Sequence, residues 1–442
     1  MAADDKQKRA QALVDALAHG RKQQPDAAPP LRRAEGSRLA SVLLAACALR
    51  LCILVLFPGA AAHYLSGRVE LATPVTSHKR LVEGLHLSAH GISPYDGGLF
   101  HQSPLLLLAF APLRLLPDIF TSVIYVGADA LVALLLAKIA AARALQSTAV
   151  PGEMSYVCSP ATVALLYLFN PLTLATTLAR STIVFSHLAI VAALYFAVYR
   201  RSVPAAACTA VAAHLSLYPA MLVVPVSLIA AGPSRAPAAA VAVAAKTVAI
   251  AVALHAIFAT LYGGEYFRQT IQFTLRVSDL QPNVGLFWYF FIEIFDEFRS
   301  FFIVVFQLTA LAFAAPISWR FRHEPLFAAA MLVGITSALK SYPAWGDLSL
   351  FLALIPLFEG LAKYLQYAFL STTLLFFGIG LAPVFWHLWI EQGSGNANFF
   401  YAATLVYVFG QIVLLFDLGS AMLRRELDIH RPDTRTRAVI QE

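Results

Sequence analysis

Pro282-Asn283-Val284-Gly285-Leu286-Phe287-Trp288-Tyr289-Phe290-Phe291 sets a helix breaker and a glycine directly ahead of five consecutive aromatic residues. Glu293, Asp296, Glu297 and Arg299 follow before the chain turns apolar again. An aromatic ring has an apolar body, and Trp and Tyr add a polar tip, so these residues gather where hydrocarbon meets polar head groups. Pro282 and Gly285 predict a backbone that enters a membrane bent and starts a helix at that depth. The run is either a wall facing lipid head groups or a lipid ligand, or an ordinary aromatic belt at the end of a spanning helix. Both alternatives put the fold in a membrane.

The rest of the 442-residue chain agrees. Hydrophobic residues make up 59% and charged residues 13%, with mean hydropathy +0.69. So few charges cannot cover a soluble core. Apolar runs of roughly 18 or more residues recur along nearly the whole length, which predicts an all-α, polytopic helical membrane protein. The period-two alternation of a membrane barrel is absent. The net charge of +7 sits mainly in the tails, as in membrane proteins with cytoplasmic ends, and does not read as nucleic-acid binding. Cys47, Cys52, Cys158 and Cys208 lie in or beside apolar runs without a C-x-x-C pair and read as small buried hydrophobes.

In chain order, 1–38 is a mobile basic cytoplasmic tail, with Lys6 to Arg21 able to form a short amphipathic helix. A membrane domain spans 39–423, and 424–442 is a second cytoplasmic tail. Apolar runs fall near 39–57, 103–117, 119–142, 158–177, 181–199, 203–231, 238–262, 292–318, 325–340, 344–359, 364–385 and 398–423. About twelve transmembrane helices are expected, so both ends lie on one side. Polar loops near 58–102, 263–291 and 386–397 fall on the lumenal side. The positive-inside rule supports this orientation through the tails, Arg235, the 319–324 cluster and Lys363; Arg200-Arg201 lands on the wrong side. Lys79 and Glu83 are spaced to pair on a helix.

Three polar groups interrupt the apolar pattern. Glu293, Asp296 and Glu297 are candidate acids and bases, or head-group-level charges that meet Arg299. Lys340 to Asp347 carries Pro343 and Gly346 between two apolar runs, which means a broken helix or a loop reaching the interface. A charge at mid-membrane depth costs on the order of 3 kcal/mol, so Lys340 or Asp347 needs a partner or a wet cavity there. Trp386-His387-Leu388-Trp389 precedes a small flexible loop with Asn396 and Asn398, then Phe399-Phe400-Tyr401. Two amides at this spacing can address sugar hydroxyls or phosphate while rings hold chains or sugar faces. They also suit a loop with Asn398 as helix cap. His187, His214 and His255 lack ligand spacing, and no metal, nucleotide or triad motif is present, so no catalytic residue, metal or cofactor is assigned.

At these residues the chain resembles the phosphatidylinositol-glycan class U family, the multi-spanning subunit of the glycosylphosphatidylinositol (GPI) transamidase. The resemblance runs from about 68 to 427. Its segments are Lys79 to Gly84 with Ser93-Pro94-Tyr95 and Phe100-His101; Phe169-Asn170-Pro171; Leu217-Tyr218-Pro219; Asp279 to Phe291; Lys340 to Pro343 with Gly346-Asp347; and Pro383 to Tyr401 with Gly410-Gln411 and Leu423 to Glu426. The basic tail before 38 departs from the family's short N-terminus. The resemblance implies an architecture like that of membrane mannosyltransferases. It also implies a non-catalytic, multi-pass subunit of the endoplasmic reticulum membrane that helps recognise the GPI lipid or the attachment signal. The cysteine nucleophile is then on a caspase-like partner subunit. Carried over by position, Asn396, Asn398, Asn283, Phe287, Trp288, Ser300, Trp386 and His387 are GPI-binding candidates, and Arg235 is a weak phospholipid head-group contact.

Two other classes compete. A dolichol-phosphate-sugar-dependent glycosyltransferase needs an acidic base in the first lumenal loop, where only isolated Glu70, Glu83 and Asp96 are available. A secondary transporter would suit breaks at 218–219 and 340–347, although no inverted repeat is evident.

Overall fold

A computed structural model describes residues 33–59, 64–148, 158–232 and 237–431. Most of the N-terminal tail, Arg235 and the last residues of the C-terminal tail lie outside these, as does the amphipathic stretch Lys6 to Arg21. The described residues form helices joined by turns and irregular segments. In order these are α1 (Arg33–Leu56), α2 (His78–Ala89), α3 (Pro104–Phe110), α4 (Asp118–Thr148), α5 (Pro160–Leu168) and α6 (Pro171–Leu178). Next come α7 (Ile183–Val198), α8 (Ser202–Leu215), α9 (Val223–Ala231), α10 (Pro237–Phe267), α11 (Phe273–Arg276) and α12 (Phe287–Glu293). The last are α13 (Asp296–Ala312), α14 (Ala314–Arg320), α15 (Pro325–Leu339), α16 (Trp345–Leu354), α17 (Ala368–Trp386) and α18 (Ala397–His430).

Several starts are written locally as a cap followed by proline. The Ser103 hydroxyl accepts from the Leu105 N–H, Ser159 from Thr162 and Asn170 from Leu172, with Pro104, Pro160 and Pro171 next in line. A side-chain acceptor satisfies an orphan N–H, and proline at the first helical position loses no hydrogen bond. The Asn170-Pro171 start bends α5 and α6 by 57° within one apolar segment. Gly378 on α17 meets Tyr407 on α18 so closely that an added Cβ would lie 2.6 Å from the tyrosine Cβ. Small residues let apolar helices approach in this way where no water drives them together.

Among the described residues seven helices are long and apolar enough to cross a membrane, eight if the bent α5–α6 pair counts as one span. Five further apolar helices are 10–17 residues long, so length alone does not confirm the expected twelve. The core lies among α4, α5, α7, α15, α16 and α18. By contrast only 17% of the apolar window of α10 and 11% of that of α13 is buried inside the chain, leaving their flanks to lipid or other proteins.

Ion pairs and hydrogen bonds define two ends. At the loop end, Gln102 donates to the Ser77 carbonyl (2.6 Å), Thr182 donates to Thr76 and Gln102, and Arg180 clasps Asp118. Gln102 and Asp118 thus share one end, and the segment 103–117 leaves from and returns to it instead of crossing. This corrects the expected span there: Pro104–Leu115 is too short to cross, and Pro117 closes it before α4 begins. The correction reverses the crossings between 119 and 199 and removes the conflict at Arg200-Arg201, while the division of the 203–231 run described next restores the direction of the later ones. The Tyr199 hydroxyl donates to the Lys138 carbonyl near the far end of α4 (3.1 Å), and Gly232 packs on the Arg200 guanidinium. At this tail end Arg143 also approaches Glu324 (3.6 Å), and Arg320 binds Glu426 (2.8 Å). The 203–231 run is accordingly two helices, α8 and α9, that meet at Tyr218-Pro219.

Lys340 to Ala344 is a break between α15 and α16, as Pro343 and Gly346 imply. Lys340 Nζ lies 2.6 Å from Asp347 Oδ1, with the two side chains 7% and 13% exposed, so the buried charge has both a partner and, as described below, a cavity. The expected Lys79–Glu83 pair does not form; Arg80 on the same helix instead reaches Asp279 across the fold (3.0 Å).

Candidate functional site

The site is assembled from two segments more than a hundred residues apart. Pro282 and Gly285 end the irregular stretch after α11, and the short α12 carries the aromatic run. Here Gly285 is forced by close approach: a Cβ would sit 2.6 Å from Pro343 Cδ and Cγ. The Asn283 amide is consumed in the same turn, accepting from the Gly285 N–H (2.9 Å) and donating to the Gln281 carbonyl (3.1 Å), and it is buried. Asn283 therefore shapes the loop, with its amide buried and directed into the turn.

The second segment is the end of α17, a π-helical turn at His387–Glu391 and the start of α18. Asn396 is the helix cap, its side-chain oxygen accepting from the Asn398 N–H (3.1 Å). This replaces the expected cap at Asn398. Its role differs: the Asn398 oxygen accepts from the Tyr289 hydroxyl of α12. The Tyr401 hydroxyl returns the tie, donating to the Leu286 carbonyl (3.1 Å). Rings close the joint, with Tyr289 on Tyr401 at 4.6 Å, Trp288 on Tyr401 at 5.8 Å and Trp386 on Phe400 at 5.3 Å. Asn396 and Asn398 are exposed, and neither side-chain NH2 has an internal partner among the described residues.

Phe287 and Trp288 depart from the expected outward wall. Both are 1% exposed. Phe287 packs with Phe306 and Phe291, and Trp288 packs among Trp389, Phe400 and Tyr401. They back the wall, while Tyr289, Trp386 and Trp389 are partly open and His387 is exposed. Ser300 is exposed on α13, beyond this cluster. Arg299 does not meet the nearby acids: it donates to the Phe291 and Val277 carbonyls and pins α13 to the aromatic loop. Arg235 lies outside the described residues.

A charged chain borders the cluster. Arg68 binds Glu70 through two hydrogen bonds (2.8 and 3.1 Å) and stands 3.8 Å from Glu391, which pairs with His387 at 2.6 Å. The Glu70 carbonyl also accepts from the Trp345 N–H (2.8 Å), and the residue is 1% exposed. A carboxylate locked in this way is poorly placed to take a proton from an acceptor hydroxyl. Glu83 and Asp96 are exposed and not joined to it.

The loop end also buries two histidines. Removal from water pushes His78 and His101 down to about 4, the cost falling on the charged imidazolium. His101 stacks on Phe273 at 3.5 Å, and its Nδ1 lies 3.1 Å from the Gln269 carbonyl.

Residues 44–407 match the model of the family described as GPI transamidase subunit PIG-U. The chain belongs to the PIG-U family. It is 34% identical over 421 residues to the GPI-anchor transamidase component PIGU of Cricetulus griseus, covering 88% of this chain and 94% of that protein. The human protein of the same name is 33% identical over 404 residues (84% and 91%). The GPI transamidase component GAB1 of Saccharomyces cerevisiae is 34% identical over 391 residues (88% and 95%). These shares place the PIG-U match across the membrane domain, including both segments of the aromatic cluster.

Sequence reasoning missed Tyr289 and Arg68 as connecting residues. Tyr289 was visible inside the aromatic run, where a phenol hydroxyl needs a partner. Arg68 carried no local signal, because its link to Glu391 exists only after folding.

Proposed function

We propose that this chain is the multi-spanning, non-catalytic subunit of a GPI transamidase in the endoplasmic reticulum membrane, and that its aromatic rim helps seat the GPI lipid. The observation that carries the proposal is the joint between Tyr289 and Asn398. It sets exposed amides directly above a bank of partly open rings at the lumenal end. A GPI has acyl or alkyl chains, an inositol phosphate and a glycan. Rings hold its apolar part and sugar faces, while the free NH2 groups of Asn396 and Asn398 donate to glycan or phosphate oxygens. The names of the relatives, components of a GPI transamidase, support membership of the complex. The locked state of Glu70 supports leaving bond-making to a separate, caspase-like subunit. There a cysteine attacks the precursor's carbonyl, the C–N bond breaks and the C-terminal signal leaves as its amine; the ethanolamine amine of the GPI then attacks the thioester and releases the thiol. Ser300, Trp386, His387 and, more weakly, Arg235 are further contacts in this proposal, with Phe287, Trp288 and Asn283 holding the rim from behind.

The test is affinity purification of the full chain, scored for co-purifying GPI and a caspase-like subunit. Both should be recovered, and Asn396→Ala with Asn398→Ala should lose the lipid while keeping the subunit. Recovery of neither from the unaltered chain sinks the proposal.

A further inference from the structure

Apart from the rim, a cavity of about 1120 Å3, its mouth included, lies where the two chain breaks meet. One break is at Ser216 to Pro219 after α8, the other at Lys340 to Tyr342 after α15. The Tyr218 hydroxyl joins them, donating to Gln307 (2.8 Å) and accepting from the Ser341 N–H (3.0 Å). Broken backbone inside an apolar fold is tolerated where neighbours re-satisfy it or where it borders a cavity, and here Tyr218 takes up the Ser341 N–H beside the cavity.

The lining has an unusual charge inventory. Among the described residues that line it, the fixed charges are Lys340 and Asp347, which cancel at 2.6 Å. The other polar groups are hydroxyls and imidazoles. His214 is fully engaged, with Nδ1 at 2.7 Å from Ser103 and Nε2 at 2.9 Å from the Tyr266 hydroxyl. His187 is not. It is 2% exposed, lines the cavity, and its Nε2 has no hydrogen-bond partner among the described residues. A buried ring nitrogen left unpaired is costly, so its partner is a group that the described residues do not supply.

Ser216 and Leu217 at the α8 break, and His255, Thr270 and Thr274 of the α10–α11 segment, are among the partly open lining residues. The helix α10, which reaches the cavity through His255, has exposed apolar side chains such as Val252, Ile257 and Leu261. A ligand that enters beside α10, whose apolar window is only 17% buried inside the chain, brings an apolar tail to that helix and a polar head inward.

We propose that this cavity takes the hydroxylated ring of an uncharged lipid head group, with one ring hydroxyl paired to His187 Nε2. A ring of hydroxyls can both give and accept hydrogen bonds along a wall of Ser, Thr and His. An anionic head group fits worse, because Lys340 is already neutralised and the group would meet the Asp347 carboxylate. The site does not depend on the rim's proposed function.

The test uses the purified full chain, with whatever subunits accompany it, in lipid nanodiscs. These carry a photoactivatable glucosyl-diacylglycerol, the same diacylglycerol without sugar, or phosphatidylserine with the same tails. The glucosyl probe should label residues 213–219 or 268–275 at least tenfold more than either control. Ser186→Trp, which fills the cavity, should cut that labelling about tenfold, and Asn396→Ala with Asn398→Ala should leave it unchanged. Where Ser186→Trp does not fold, His187→Leu serves, with a several-fold loss expected. Equal labelling by all three probes overturns the proposal, as does labelling that survives in a folded cavity variant. Labelling lost only in the rim variant moves the sugar to the rim and also overturns it.

Discussion

The Tyr289 hydroxyl donates to the side-chain oxygen of Asn398, tying a short helix after one loop to the start of the last helix. The same asparagine keeps its NH2 pointed at solvent. The bond therefore orients the amide, presenting donors outward and the acceptor inward, and it is neutral at both ends.

That division separates two roles at position 396. Asn396→Asp retains the acceptor that caps α18 but removes the donor, so the melting temperature should stay within about 1 °C while GPI co-purification falls several-fold. Asn396→Ala removes both and should also cost about 1 kcal/mol of helix stability. Thermal unfolding and lipid mass spectrometry on the two variants check this. Equal lipid recovery from the Asp variant and the unaltered chain leaves Asn396 as a cap alone.

Lys340→Met should be among the most damaging single changes. It strands Asp347, which is buried and whose other oxygen accepts from the Ala344 N–H (2.8 Å). Breaking a buried pair from one side costs about 3–5 kcal/mol, whereas replacing both partners with apolar groups is often near neutral. Lys340→Met with Asp347→Leu should therefore melt well above Lys340→Met alone. Additive losses in the double variant would show that the pair is not coupled.

Gly285→Ala places a methyl group 2.6 Å from Pro343 and should cost about 1–3 kcal/mol, because neither loop can yield without moving the other. Gly380→Ala is the control, since nothing lies within 4 Å of its added Cβ. Melting of detergent-solubilised protein should separate the two clearly.

Acid should loosen the loop end. His78 and His101 are held near 4 in the folded chain and return to about 6.5 when unfolded, so the unfolded state binds more protons between those values. Stability should be full above about pH 6.5, fall as pH drops toward 4, and level off below that. His101→Phe keeps the stacking on Phe273 and should flatten part of this slope. An unchanged slope between pH 7 and 4.5 would place the sensitivity elsewhere.

Much was readable before folding was considered. Long apolar runs with almost no charge permit only a helical membrane fold, because a lipid environment demands internally satisfied backbone. Pro219, Pro343 and Gly346 announced the breaks, since proline cannot donate and glycine bends without cost. Family membership was legible in contiguous blocks such as Lys340 to Pro343. Other features depend on distances that sequence spacing does not encode. The 103–117 run is apolar enough to cross, but the bonds of Gln102 and Asp118 turn it back. Phe287 and Trp288 look like an outward belt, yet their helix is rotated so that Phe306, Phe400 and Tyr401 cover them. His187, His214 and His255 show no ligand spacing because they come from separate helices, and packing alone brings them to one cavity. Local chemistry decided which segments enter the membrane and where they bend. Which faces then close on each other, and which donors stay free, was decided by the three-dimensional packing, because burial and pairing belong to the assembled neighbours of a residue.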